Sequence, residues 1–231
     1  MLKKIINLSI LLCLLINSIK ADIGEIPPVK LKYFLIRPDY YVVDTRDNTI
    51  SSKGFLKYSL ILPLTMDYAK WLPLLVNKES IIILICDNKN FNAAISKTKE
   101  MGYNIEGYAI YDNIRQSGLS ILTPRYNENT KKDIEKLVKD KKYIVDIREI
   151  EEYKETGVIK DANLIPLSVF KENYKKLPKN KDIYVFCESE GKALLAMSYA
   201  QKLLLANKFY IMRGGMRKAV EEGYTLVPYS D

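Results

Sequence analysis

The chain has 231 residues, 48% of them hydrophobic, a formal net charge of +8 and no histidine. That length accommodates one large domain or two small ones. The absence of histidine excludes His-assisted nucleophiles, His acid–base chemistry and most catalytic zinc sites. The positive excess is spread among Lys–Glu neighbours without an arginine-rich or aromatic–basic stripe, so it reads as a solvated surface and predicts no nucleic-acid partner.

The N-terminus carries a targeting pattern. Lys3 and Lys4 precede the apolar run Ile5–Ile16, and Ala21 places a small residue before Asp22. This is the charged, apolar and cleavage-site order of a secretory signal peptide over residues 1–21. The expectation is an exported protein, periplasmic in a two-membrane cell, with no stable membrane span after cleavage. The run is short for a span; retention as an anchor is the alternative. Cys13 follows Leu12 where a lipoprotein site requires a small residue, so no lipid attachment is expected. The mature chain keeps Cys86 and Cys187, with no CxxC pair. These predict no metal site and no cofactor.

The rest is organised by an internal repeat. Tyr41-Val42-Val43-Asp44-Thr45-Arg46 matches Tyr143-Ile144-Val145-Asp146-Ile147-Arg148. Gly54-Phe55-Leu56 matches Gly157-Val158-Ile159, and Leu60 to Thr65 matches Asn163 to Ser168. Ile81 to Ile85 with Cys86 matches Ile183 to Phe186 with Cys187. Asp22 to Pro38 is expected to pack along the first unit. Arg115 to Thr130, with Gly118, Pro124 and several Asn, reads as the linker. In the second copy, Tyr143–Val145 is a buried strand and Glu149 to Thr156 a short helix stopped by Gly157. Ala162–Ile165 is a strand, and Ser168 is placed to cap a helix that ends by Pro178. Ile183–Phe186 is a β-branched and aromatic strand. Gly191 to Asn207 places Leu194, Met197 and Leu204 at helical spacing. Phe209–Met212 is the last strand, followed by Gly214-Gly215 and a helix over Met216 to Glu222. Alternating strands and helices predict an α/β fold with a parallel sheet covered on both faces in each copy. The expected domains are residues 22–125 and 126–231.

Cys187 stands where a parallel sheet collects function, between a strand end and a helix start. In Cys187-Glu188-Ser189-Glu190-Gly191-Lys192, a tight turn aims backbone N–H groups inward, and the helix start adds positive potential. Such a cradle favours a thiolate, an anion or the outer sulfur of a persulfide. Gly191 is expected to supply backbone freedom and Lys192 a cation, while Glu188 and Glu190 are expected to raise the thiol's pKa and repel anionic donors. A buried structural thiol is the alternative. A cysteine phosphatase would place an Arg six residues after Cys to clamp phosphate; that position is Ala193. In the first copy, Cys86-Asp87-Asn88-Lys89-Asn90-Phe91 has no glycine, and Phe91 replaces the cation. Equivalent strand ends of two domains do not favour a Cys86–Cys187 disulfide.

Asp146-x-Arg148, Gly157-Val158-Ile159, Ala162 to Pro166, the Cys187 loop and Gly214-Gly215 together resemble a rhodanese-like (sulfurtransferase) domain. The resemblance covers about residues 130–231 and, more loosely, 30–115, and implies two such domains in tandem. It further implies that Cys187 accepts sulfane sulfur as a persulfide, with Glu188, Ser189, Glu190, Gly191 and Lys192 as the loop around it. Asp146 and Arg148 are implied as a supporting pair and Arg213 as a further cation. The implied partners are a small sulfur anion such as thiosulfate, or a polysulfide, and a thiol or cyanide acceptor. The alternative is a catalytically weak or inactive binding or sensing module.

Overall fold

The computed structural model describes residues 23–203 and 207–230; the expected signal peptide, Cys13 and Leu204 lie outside the described residues. In the first half the elements are α1 (Pro28–Leu35), β1 (Tyr40–Asp44), α2 (Asn48–Ser51), β2 (Phe55–Leu56), β3 (Leu60–Ile61), α3 (Tyr68–Leu75), β4 (Ile81–Cys86), α4 (Phe91–Glu100), β5 (Asn104–Ile110), α5 (Tyr111–Arg115) and β6 (Ile121–Leu122). In the second half they are β7 (Arg125–Asn127), α6 (Lys131–Lys139), β8 (Tyr143–Asp146), α7 (Ile150–Thr156), β9 (Asn163–Leu164), α8 (Phe170–Asn173), β10 (Asp182–Phe186), α9 (Gly191–Lys202), β11 (Lys208–Met212) and α10 (Gly215–Glu221). Among the described residues no helix is long and apolar enough to cross a membrane.

Two wholly parallel sheets result, β3-β1-β4-β5 and β9-β8-β10-β11-β7. Their first four strands share one order; β10 is the middle strand of its sheet, and β4 is one of the two inner strands of the other. The inner strands β1, β4, β8 and β10 are apolar runs rich in Val and Ile, as covering on both faces requires. The segment expected as a linker is instead built in: β6 pairs antiparallel with β2, and β7 extends the second sheet beside β11. In the first half Glu25 bridges Tyr108 of β5 at the corresponding edge, and α1 then follows as α6 follows β7. Thr130 caps α6 through a reciprocal box with Asp133, which satisfies two otherwise open N–H groups. Gly157, at φ +84°, ends α7 as expected. Ser168 does not cap a helix: it lies in a 3-10 turn and donates Oγ–H to Glu149 Oε2 at 2.6 Å.

The halves share one apolar core. Leu60, Ile61, Trp71 and Leu72 of the first half and Leu167, Phe170, Leu195 and Tyr199 of the second form one buried cluster. Helix α9 lies between the sheets, so residues Ala193–Ala200 are buried on every side, the pattern of a core helix and not of an amphipathic surface one. Polar groups fix the docking: Ile61 donates its N–H to Ser198 Oγ at 2.9 Å. Lys202 Nζ donates to the carbonyls of Leu35 (2.8 Å) and Arg37 (2.9 Å), and burial pulls its amine down to about 8.

Candidate active site

The two central strand ends are held by the same device. Arg46 Nε and Nη2 grip the Asp44 carboxylate at 2.8 and 2.6 Å, and Nη2 also reaches the Gly54 carbonyl at 2.9 Å. Arg148 Nη2 grips Asp146 Oδ2 at 2.7 Å and the Gly157 carbonyl at 2.8 Å. All four side chains are buried. A bidentate Arg–carboxylate fork is the geometry that makes a buried ion pair tolerable. Asp146 and Arg148 are therefore a structural clamp. Next to them the Thr45 and Ile147 N–H groups donate, both at 2.9 Å, to the carbonyls of Ile85 and Phe186, the residues just before the two cysteines.

β10 delivers Cys187 into full burial, as a free thiol whose S–H is directed to the Ser189 carbonyl. Burial pushes the thiol up to about 12; the Ala193 N–H, Lys192 and the Ser189 N–H pull the other way, and Asp146 adds to the rise. The loop is held from outside. Met216 and Arg217 in the first turn of α10 donate N–H to the carbonyls of Cys187 (2.7 Å) and Glu188 (3.4 Å). This approach needs Gly215: at φ +64°, an added Cβ would lie 2.5–2.6 Å from the carbonyl oxygens of Cys187, Glu188 and Ser189. Asn129, wholly buried, donates Nδ2–H to the Gly215 carbonyl at 2.6 Å.

Several loop residues have duties other than those expected. Glu190 Oε1 accepts the Gly214 N–H at 2.7 Å, stapling the loop to the double-glycine turn. Glu188 is half exposed, 4.0 Å from Arg217. Asp146 is the acid that raises the thiol. Gly191 does not adopt a left-handed backbone; a Cβ there would meet only the movable side-chain ends of Asn48 (Nδ2, 2.7 Å) and Met66 (Sδ, 2.9 Å). Lys192 Nζ pairs with Glu152 Oε2 at 3.1 Å. Arg213 lies outside the site, paired with Glu128 at 3.2 Å and stacked 4.6 Å over Tyr126.

Above the loop opens a cavity of about 600 Å³. Ser189, Glu190 and Gly191 form its floor, Asn48, Thr49 and Ser52 one wall, and Arg217, Lys218 and Glu221 of α10 the other. Sequence reasoning missed Asn48, Asn129 and the α10 residues. Asn129 was within reach, because it precedes a Thr-x-x-Asp capping box; no sequence signal pairs Asn48 with a loop more than a hundred residues away.

The Cys86 loop differs. Cys86 is buried, 3.5 Å from Thr45 Oγ1, and burial pushes it to about 12 as well. Its loop closes on its own side chains. Asp87 Oδ1 accepts the N–H groups of Lys89 (2.8 Å) and Asn90 (2.9 Å), and Asn90 Oδ1 accepts that of Asp87 (3.0 Å).

Residues 130–222 match the Rhodanese family model, described as a rhodanese-like domain. This part of the chain is a rhodanese-like domain. Among solved structures, the chain is similar to a rhodanese-related protein from Thermoplasma volcanium, 26% identical over 45% of this chain and 97% of that one, with a TM-score of 0.39. It is similar to the thiosulfate sulfurtransferase of Pseudomonas aeruginosa at 13% identity, covering 90% of this chain and 44% of that one, TM-score 0.39. This chain thus spans less than half of the Pseudomonas protein. The 3-mercaptopyruvate sulfotransferase of Escherichia coli is 13% identical over 82% of this chain and 98% of that one, TM-score 0.37. No curated protein matches. The rhodanese-like domain contains Cys187, its loop, the Asp146–Arg148 clamp and the Gly214-Gly215 turn.

Proposed function

We propose that the chain is an exported sulfurtransferase in which Cys187 carries sulfane sulfur as a persulfide, and that its first half is a diverged copy of the same domain kept as scaffold. One observation carries this reading. Cys187 ends the central strand of a rhodanese-like domain, with the Ser189 and Ala193 N–H groups and the Lys192 charge acting on its sulfur. Those groups favour the negative charge of a thiolate or a terminal persulfide sulfur. In the first step the Cys187 thiol gives its proton to water, and the thiolate attacks the outer sulfur of the donor. The Cys187 S–S bond forms, the donor's S–S bond breaks, and its electron pair leaves with sulfite or a shortened polysulfide. In the second step an acceptor thiolate or cyanide attacks the outer persulfide sulfur, and Cys187 leaves as thiolate.

The buried thiol makes this chemistry slow at neutrality. A thiol near 12 is ionised in about one molecule in 10⁵ at pH 7. Loading should therefore rise roughly tenfold per pH unit through the alkaline range, with no plateau below about pH 11. The same burial, with S–H directed to the Ser189 carbonyl, favours a second reading, a binding or sensing module that turns over little. Mass spectrometry after incubation with thiosulfate or polysulfide separates the two. The carrier gains one sulfur, keeps that gain in Cys86→Ser and loses it in Cys187→Ser. Absence of an adduct from every donor establishes the module instead. Export rests on Lys3, Lys4, the Ile5–Ile16 run and Ala21, and the N-terminal residue of the secreted protein tests it: Asp22 is expected.

A further inference from the structure

Helix α1 is apolar on two sides. Leu31 and Leu35 are buried. On the other side Val29, Tyr33 and Ile36 are 59%, 64% and 64% exposed, the three most exposed large apolar side chains among the described residues. Their spacing, i, i+4 and i+7, stacks them into one stripe about two helical turns long. Single exposed apolar residues are ordinary, but a contiguous stripe rimmed by charge marks an interaction surface. The rim here is basic. Lys32 borders the stripe on one side and Lys30 on the other, and Lys32 Nζ lies 5.1 Å from the Tyr33 ring centre. Arg37, the next residue, spends its charge on Asp39. Residues 26–38 contain no acid.

Two facts name the occupant. The apolar run expected as the export signal ends at Ile16, and α1 begins at Pro28. That gap is at most about 40 Å of extended chain, so a bilayer that takes the run has α1 within reach. The second fact is charge. An anionic bilayer surface offers acyl chains to the stripe, lipid phosphates to the two ammonium groups and a polar–apolar boundary where tyrosine settles. A second copy of the chain fits less well. A two-fold contact would bring the like-charged rims together, and three side chains fall far short of the roughly 800 Å² per partner that a stable interface buries.

We propose that α1 is a membrane-surface contact: Val29, Tyr33 and Ile36 enter the headgroup boundary of an anionic bilayer, and Lys30 and Lys32 meet its phosphates. The proposal is independent of the sulfur chemistry. Lys202, at the far end of α9 from the Cys187 loop, holds the carbonyls of Leu35 and Arg37. It thereby ties the contact to the core. The 12 residues of α9 separate the two ends by about 18 Å. The sulfur site thus lies outside the contact.

Vesicle co-sedimentation tests this on the processed chain beginning at Asp22, so that the Ile5–Ile16 run contributes nothing. The probes are vesicles of phosphatidylcholine alone and of phosphatidylcholine with phosphatidylglycerol in equal parts. The chain is expected to bind the mixed vesicles at millimolar lipid, to ignore the neutral ones and to release in high salt. Lys30→Gln with Lys32→Gln should weaken binding about 25-fold, roughly fivefold per cation at the surface. Val29→Ser, Tyr33→Ser and Ile36→Ser together should abolish it. Val169→Ser with Val220→Ser, at exposed positions elsewhere, should leave it unchanged. Tyr33→Trp keeps the stripe apolar and reports insertion directly: mixed vesicles should blue-shift the introduced indole, and brominated lipid should quench it. Sulfur loading at Cys187 in free solution should be the same in all these variants, so loss of the carrier reading would leave this one standing. No binding to mixed vesicles, binding that survives the α1 substitutions, or a dimer in solution that the three serines dissolve would overturn the proposal.

Discussion

At the end of β4 the loop after Cys86 is closed by its own side chains: Asp87 and Asn90 occupy the N–H groups of residues 87, 89 and 90. At the end of β10 the loop after Cys187 is closed by α10, whose first N–H groups take the carbonyls of Cys187 and Glu188. The first arrangement consumes donors that would otherwise surround a sulfur. The second braces the loop on its carbonyl side and leaves the Ser189 and Ala193 N–H groups to act on Cys187. Both thiols are equally buried and equally raised, so burial does not distinguish them. The source of the bracing does: side chains of its own in the first loop, the start of α10 in the second.

The comparison presumes an equivalent frame beneath each loop, and the largest predicted effect tests that. Asp44→Asn and Asp146→Asn each leave a buried guanidinium without its counter-charge. Each should lower stability by about 3–5 kcal/mol in denaturant titration. Because the halves share one core, each variant should still unfold in one transition. A large loss from Asp146→Asn with none from Asp44→Asn would show that the two frames are not equivalent.

The bracing itself comes next. Gly215→Ala sets a Cβ against three loop carbonyls at a left-handed φ. A cost of roughly 2–4 kcal/mol is expected, with loss of sulfur loading at Cys187 in protein that remains folded. Asn90→Ala in the first loop should cost about 1 kcal/mol and leave Cys187 loading unchanged. Equal loading in Gly215→Ala would mean that α10 does not shape the site.

Most of the frame was legible in the sequence because it is local. Asp-x-Arg places both partners of the clamp two residues apart at a strand end, Gly157 stops a short helix, and β-branched runs give buried parallel strands. What was not legible depends on elements meeting across the fold. Gly191 looked like a conformational glycine, but its backbone is not left-handed, and its near neighbours are the side chains of Asn48 and Met66 from the other half. Glu190 looked like an electrostatic burden on the thiol and is a staple to Gly214. Arg213 looked like a site cation because it precedes the double glycine, but it turns to Glu128 and Tyr126. Residues 115–130 looked like a linker because Gly, Pro and Asn dominate; β6 and β7 are short and find their partners in β2 and β11.

The smallest effect probes the charge that separates the loops. Lys192 lowers the Cys187 pKa, yet its ammonium is held 3.1 Å from Glu152. Phe91 stands at the equivalent place after Cys86. Glu152 also accepts the Glu149 N–H at 2.9 Å in the capping box of α7, a duty that glutamine performs as well. Glu152→Gln should therefore keep the helix while freeing the Lys192 charge to act on the sulfur. A fall of half a pKa unit would raise the thiolate population, and hence the alkylation rate of Cys187 by iodoacetamide at pH 8, by about threefold. Lys192→Met should move that rate the other way by a similar factor. The Cys86 rate, read by mass spectrometry in the same samples, should be unchanged in both. If both substitutions move the two thiols together, they act through stability, because opening of the shared core exposes both cysteines. If neither moves Cys187, the cation does not reach the sulfur, and the loop must favour its anion through the Ser189 and Ala193 N–H groups alone.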